Sequence, residues 1–212
     1  MRPLSVLYRD DHLVVIDKPA GVLVVPAPGR DASTIVDLVG AQLNCRPQAV
    51  HRLDEDTTGA LALALDDAAR AGMEALFRRH AIERDYLALV SAAPSPAAGK
   101  IESSLQEDDD GMVRVVLRGG VRAVTHYETL ARRGRCTLVR CQLETGRRNQ
   151  IRVHLAALGC PVAGDRKYGF RARAGEHFAR VMLHSWRMSF VHPITGIEVH
   201  VETLPPEPSL CP

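Results

Sequence analysis

One run of small apolar residues, Ala60-Leu61-Ala62-Leu63-Ala64-Leu65, constrains the fold more than any other segment of the chain. It contains no polar side chain and is only six residues long, so it reads as a strand buried on both faces. The nonapeptide HRLDEDTTG (51–59) feeds straight into it, which places Asp54, two residues after Arg52, in a loop at the lip of the core. A carboxylate held there needs a cationic partner or a catalytic use. The same nine residues also fit a turn aspartate that caps local backbone donors. Both readings stand on this segment alone.

At 212 residues the chain suffices for one sizeable core, and 1–212 is expected to form a single domain. Its 46% apolar and 25% charged residues are those of an ordinary globular protein. No run of 18 apolar residues and no basic-then-apolar leader is present, so neither a membrane span nor a secretory signal is expected. The five cysteines are widely spaced with no CxxC pair, and the nine histidines show no HExxH spacing. That pattern predicts no metal, no disulfide framework and a reducing, cytoplasmic home.

The formal net charge of +2 conceals a segregation. Residues 1–111 hold 11 Lys/Arg against 18 Asp/Glu, whereas residues 112–180 hold 15 against 4, and fourteen of those fifteen are arginine. The chain has only three lysines, so a general preference for arginine explains the residue type. It does not explain the segregation. A basic half that faces a polyanion does, and the planar arginine fork suits phosphate.

Local patterns predict an opening hairpin, Leu4–Tyr8 and His12–Asp17, closed by Lys18-Pro19-Ala20-Gly21. Ser33 is placed to cap a short helix with Ile35, Val36, Leu38, Val39 and Leu43 on its apolar face. Asp66-Asp67 begins a second helix, with Ala69, Met73, Leu76 and Phe77 at helical spacing and Arg78-Arg79-His80 at its end. Strands are expected at 86–90, 100–105, 113–117, 124–130, 137–143, 182–190 and 197–201. A third helix spans Asn149–Leu158, with Ile151, Leu155 and Leu158 inward and Gly159 as its stop. The pattern argues for an α+β fold: a mixed but mostly antiparallel β-sheet with a few flanking helices.

Three separated segments carry the chemistry: HRLDEDTTG (51–59), ERDYLALV (83–90) and ETGRRNQIRVHLAALGCPVAGDRKYG (144–169). In this order they resemble the motifs of the pseudouridine synthases of the ribosomal large subunit synthase A type. The opening VLYRDDHLVVIDKPAG and the late LHSWRMSFVHPITG resemble the same family, so the likeness runs from about residue 4 to residue 205. It implies the pseudouridine synthase fold and an isomerase that converts a uridine of RNA to pseudouridine without cofactor or metal. A catalytically inactive RNA-binding protein on the same scaffold is the alternative. It would have no physical need for an intact Asp54, Tyr86 and Arg152.

By the resemblance, Asp54 is the nucleophile, with its attack on ribose or on uracil left open. Arg152 pairs with that carboxylate and favours its ionised form. Tyr86 stacks on the uracil and takes part in proton transfer at carbon 5. Arg52 occupies the space of the extruded base. Ile151 and Leu183 wall the pocket, Arg147 and Arg148 bind substrate, and His51 sets the loop by hydrogen bonding. The chain departs from the family's pattern at Thr58 (usually serine), Arg84 (usually lysine) and Asn149 (usually histidine). The expected partner is a stem-loop of rRNA or tRNA, bound by a monomer at no membrane. No separate N-terminal RNA-binding module is expected, so selection falls to the arginine-rich 112–180 region.

Overall fold

The computed structural model describes residues 3–212, and the chain divides into two compact units. In chain order the elements are β1 (Ser5–Arg9), β2 (Leu13–Lys18), α1 (Ile35–Leu43), β3 (Gln48–Ala49), β4 (Thr58–Ala64), α2 (Asp67–Arg78) and β5 (Glu83–Val90). They continue as β6 (Ala98–Glu107), β7 (Val113–Val116), β8 (Val121–Arg133), β9 (Cys136–Leu143), α3 (Gln150–Ala157), β10 (Leu183–Val191) and β11 (Glu198–Glu202). The first unit takes residues 1–84 and 185–205, the second 85–184 and 206–212. Strands β5 and β10 therefore each carry the chain from one unit to the other. Among the described residues no helix is long and apolar enough to cross a membrane.

In the first unit, β2 is antiparallel both to β1 and to β4, in the register Leu13↔Ala64 to Lys18↔Gly59. All seven residues of β4 are buried, as its apolar run requires. The alternation sorts them by size. Ala60, Ala62 and Ala64 share a core with Leu13, Val15, Met188 and the inner face of α2 (Ala69, Met73, Leu76). Leu61 and Leu63, pointing the other way, are equally inaccessible. Burying each of these leucines stabilises by about 1.5–3 kcal/mol. Methyl side chains beneath the helix let it approach closely, and Gly72 on α2 lies against Pro193 with no room for a Cβ.

Asp66 caps α2 by accepting from the Ala69 N–H, and Arg78 closes the helix as expected. For α1 the cap is Thr34, not Ser33: its hydroxyl and the Asp37 carboxylate form a reciprocal capping box. Ser33 lacks an acidic residue three positions ahead in the helix, whereas Thr34 has one.

In the second unit, β8 is antiparallel to both β6 and β9, and β9 to β5, with Tyr86 opposite Cys141 and Val90 opposite Thr137. β7 turns back on β6. Helix α3 packs its Val153 against Leu105, Val113 and Ala123 of this sheet, with Tyr168 alongside. Ile151 and Leu155 are buried as expected, but Leu158 is 37% exposed. The helix ends one residue earlier, and the Gly159 turn (φ +73°) carries Leu158 off the buried stripe.

Folding also redistributes charge. The linear contrast between residues 1–111 and 112–180 softens to 11 Lys/Arg against 14 Asp/Glu in the first unit and 16 against 11 in the second. The acidic loop 107–110 falls among the arginines.

Candidate active site

The HRLDEDTTG loop is fixed mainly through its backbone. The Asp54 carbonyl accepts from the Thr57 N–H at 3.1 Å, which makes residues 54–57 a tight turn. The Glu55 carbonyl accepts from the Gly21 N–H at 3.0 Å, joining that turn to the KPAG corner after β2. Lys18 adds the strongest tie. Its side chain is 1% exposed, and Nζ donates to the carbonyls of Pro19 (2.9 Å), Glu55 (2.8 Å) and Thr57 (3.0 Å). An ammonium with three backbone acceptors is a compact point-charge clamp that no guanidinium could replace.

His51 closes the other side of the loop. Strand β3 pairs only with Ala64 and Leu63 of β4, and one step further the Ala62 N–H donates to His51 Nε2 at 3.0 Å. That bond puts any ring proton of neutral His51 on Nδ1. The ring lies against Phe77 at 4.8 Å, and burial, aided by the Arg84 charge, pushes its pKa down to about 3. A ring that stays neutral and spends its lone pair on the backbone sets the loop and does not act as a base. Within this frame Leu53 is buried, Asp54 is half-buried and Arg52 is exposed. Beyond the loop, Gly59 (φ +108°) passes so close to Ser185 that an added Cβ would lie 2.2 Å from its carbonyl oxygen.

In the second unit, Arg152 is positioned before any substrate arrives. Its Nε and Nη2 donate to the two Asp165 oxygens at 2.7 and 2.9 Å, and Nη1 donates to Asn149 Oδ1 at 3.1 Å. The guanidinium lies 5.1 Å from the Tyr168 ring centre. Asn149 Nδ2 in turn donates to the Tyr168 hydroxyl at 2.9 Å, and that hydroxyl also accepts from the Val113 N–H at 3.2 Å. Asp165 is 1% exposed. Asn149 stands in the left-handed region (φ 54°), which asparagine tolerates better than most residues.

A buried polar network fastens α3 to the sheet. Gln150 Nε2 donates to the Val124 carbonyl and to Thr125 Oγ1, both at 2.9 Å, while its Oε1 accepts from Thr145 Oγ1 and the Arg147 N–H. One turn on, His154 bridges Thr125 Oγ1 and Ser103 Oγ, and burial lowers its pKa to about 4. Tyr86 is buried on β5, and Ile151 and Leu183 are buried beside their elements' ends. Arg147 is exposed with Nε donating to the Arg122 carbonyl, and exposed Arg148 is ion-paired with Glu107.

Arg52 and Asp54 thus belong to the first unit, and Tyr86, Arg147, Arg148, Ile151, Arg152 and Leu183 to the second. Sequence reasoning did not assign roles to Lys18, Asp165, Tyr168 or Gln150. For Lys18 a signal existed, since it is one of three lysines in a chain that otherwise uses arginine. The rest needed three-dimensional contacts.

Comparison with known proteins decides the family. Residues 12–157, which include the Asp54 loop, Tyr86 and Arg152, match the family model described as RNA pseudouridylate synthase. The chain belongs to that family. This pseudouridylate synthase is 36% identical to the ribosomal large subunit pseudouridine synthase D of Zymomonas mobilis, across 97% of its own length and 70% of the relative's. It is 39% identical to an uncharacterized RNA pseudouridine synthase of Bacillus subtilis, with 96% and 70% of the two chains covered. Among solved structures it superposes on human RNA pseudouridylate synthase domain containing 4 with TM-score 0.78 at 28% identity, covering 96% and 89% of the chains. The synthase is accordingly an isomerase acting on RNA, and its α+β fold with a mostly antiparallel sheet is the family's.

Proposed function

We infer that this synthase converts one uridine in a stem-loop of structured RNA to pseudouridine, with Asp54 as the nucleophile. The observation that carries this reading is the Asp54 turn itself. A half-buried carboxylate sits on a turn whose carbonyls are locked by the buried Lys18 ammonium. Fixing the carboxylate in advance removes much of the ordering cost of attack. In the reaction the bond from uracil N1 to ribose C1′ breaks, the base turns, and C5 bonds to C1′. The C5 proton is lost and N1 gains one. Attack by Asp54 on either the ribose or the ring creates a covalent hold that divides this exchange into two easier steps.

Tyr86 stacks on the base and handles the C5 proton, and Ile151 and Leu183 wall the pocket. Arg152, aimed by Asp165, is the cation assigned to the reacting carboxylate. Arg52, exposed beside the nucleophile, fills the gap left by the extruded nucleotide, while Arg147 and Arg148 contact substrate phosphates. Ribosomal RNA is the favoured class, because relatives named for the ribosomal large subunit match across nearly the whole chain. Asp54→Asn is expected to abolish tritium release from RNA carrying 5-tritiated uridine, with RNA affinity changed less than about threefold, or roughly 0.7 kcal/mol. Continued turnover by Asp54→Asn would overturn the assignment.

A further inference from the structure

The second unit holds fourteen arginines, six of them ion-paired within it and four of the other eight gathered at one place. Arg114, Arg122, Arg140, Arg148, Arg152 and Arg180 are each ion-paired with a carboxylate of the same unit. The gathered four lie around the turn between β8 and β9. Arg132, Arg133 and Arg135 flank the left-handed Gly134 there, and none has a carboxylate at ion-pair distance among the described residues. Arg173, from the loop after Phe170, joins them: its charge and that of Glu176 both reach the Cys136 thiol at the start of β9. Arg133 Nη2 donates to the Cys211 carbonyl at 3.0 Å, which ties down the base of the turn. Arg132, Arg135 and Arg173 are exposed. Glu176 lies in the same loop as Arg173, and its Oε2 accepts the Arg173 N–H.

Strand register sets how far this cluster lies from the pocket residue of the same unit. Tyr86 faces Cys141, and the chain runs seven residues from there to Gly134. At about 3.3 Å per residue the turn lies about 23 Å from Tyr86. Base pairs of an A-form RNA helix advance about 2.8 Å per step, so that span corresponds to about eight steps of a stem.

We propose that the β8–β9 turn and the Arg173 loop form a second RNA contact, which grips phosphates of the stem about eight base pairs from the target uridine. It rests on the RNA substrate of the proposed function and adds a length requirement to it. Exposed arginines that no internal carboxylate claims have their full charge available to phosphate. They read no sequence at that distance, so the contact adds affinity and sets register without selecting bases.

The test measures binding of full-length Asp54→Asn protein to two labelled RNA hairpins of identical uridine-containing loop, with three or ten base pairs in the stem. Using the Asp54 variant separates this outcome from the turnover assay that decides the reaction. The triple change Arg132→Gln, Arg135→Gln, Arg173→Gln leaves Arg133 and its Cys211 bond in place. It is expected to weaken binding of the long hairpin at least tenfold at 100 mM salt and to reduce the log–log salt slope by about 2. The short hairpin should be bound as before, and a control pair Arg70→Gln, Arg78→Gln on α2 should change neither. Equal losses on both hairpins, or no loss on the long one, would overturn the proposal.

Discussion

Lys18→Met removes the clamp beneath the Asp54 turn while preserving the length and apolar stem of the side chain. The buried ammonium makes three hydrogen bonds of 2.8–3.0 Å to main-chain carbonyls. Bonds to a charged group contribute about 1.5–3 kcal/mol each, and desolvating the ammonium offsets part of that sum. Glu55 is only half-buried, so its carbonyl can recover a water, whereas the buried Thr57 carbonyl cannot do so easily. A net loss of about 3 kcal/mol is expected, a large fraction of a stability that is typically 5–15 kcal/mol. Activity should fall further than stability. A turn released from two of its anchors shifts Asp54 by an ångström or so, and such a displacement costs about a hundredfold in rate. Urea titration measures the first effect, and tritium release at 20 °C, where the variant is still folded, measures the second. If Lys18→Met keeps its urea midpoint within 1 kcal/mol of the parent and turns over within a factor of about two, or 0.4 kcal/mol, the clamp does not position the nucleophile.

Three further outcomes follow from the same geometry. Gly59→Ala puts a methyl 2.2 Å from the Ser185 carbonyl at a φ of +108°; strain and overlap together should destabilise by at least about 3 kcal/mol, and a melting temperature within two degrees of the parent would refute the close approach. Asn149→His keeps a residue that accepts the left-handed backbone but puts a titratable ring beside the Arg152 guanidinium, where Asn149 Oδ1 now accepts from Nη1 at 3.1 Å. Its pH–rate profile should match the parent near pH 8 and fall only at a pH below the ordinary imidazole value of about 6.5, because the neighbouring cation disfavours the imidazolium. Superimposable profiles would show that Asn149 does not act on Arg152. His154, held near pKa 4 by burial, is refused a proton that the unfolded chain accepts. Its stability contribution is therefore intact above about pH 6.5 and is lost as pH falls towards 4, at up to about 1.4 kcal/mol per pH unit. His154→Gln should flatten that part of the urea-midpoint profile, and an unchanged slope would locate the acid sensitivity elsewhere.

What the sequence disclosed and what it withheld divide along a physical line. Strand β4 and helix α2 were legible because burial on both faces and burial on one face leave different periodicities in the residues themselves. The family motifs placed Asp54, Tyr86 and Arg152 on a loop, a strand and a helix, and each lies on that kind of element. Partners were illegible. Asp165 is thirteen residues from Arg152, and the His154 to Ser103 bond joins residues 51 apart. No local pattern encodes such pairs. The Thr34 cap was missed by one position because two hydroxyl residues adjoin, and only the acidic residue three places on distinguishes them. The charge contrast was overstated for a related reason, since a linear count cannot know that Glu107 and Asp108 fold back onto Arg148 and Arg114.

The first compact unit is discontinuous, and this bears on how the protein is made. Strand β4 lines a core that includes Met188, Phe190, Val199 and Val201, yet the hundred residues 85–184 are synthesised between the two parts. A nascent chain that has emerged only as far as Arg84 can pack α2 on β2 and β4, but it lacks the Met188, Phe190, Val199 and Val201 side chains that complete this core. Closure of that core waits for β10 and β11, whereas β5 to β9 and α3 are contiguous in the chain and can pair as they emerge. The unit that bears the nucleophile therefore begins to emerge before the second unit and is expected to complete its folding after it.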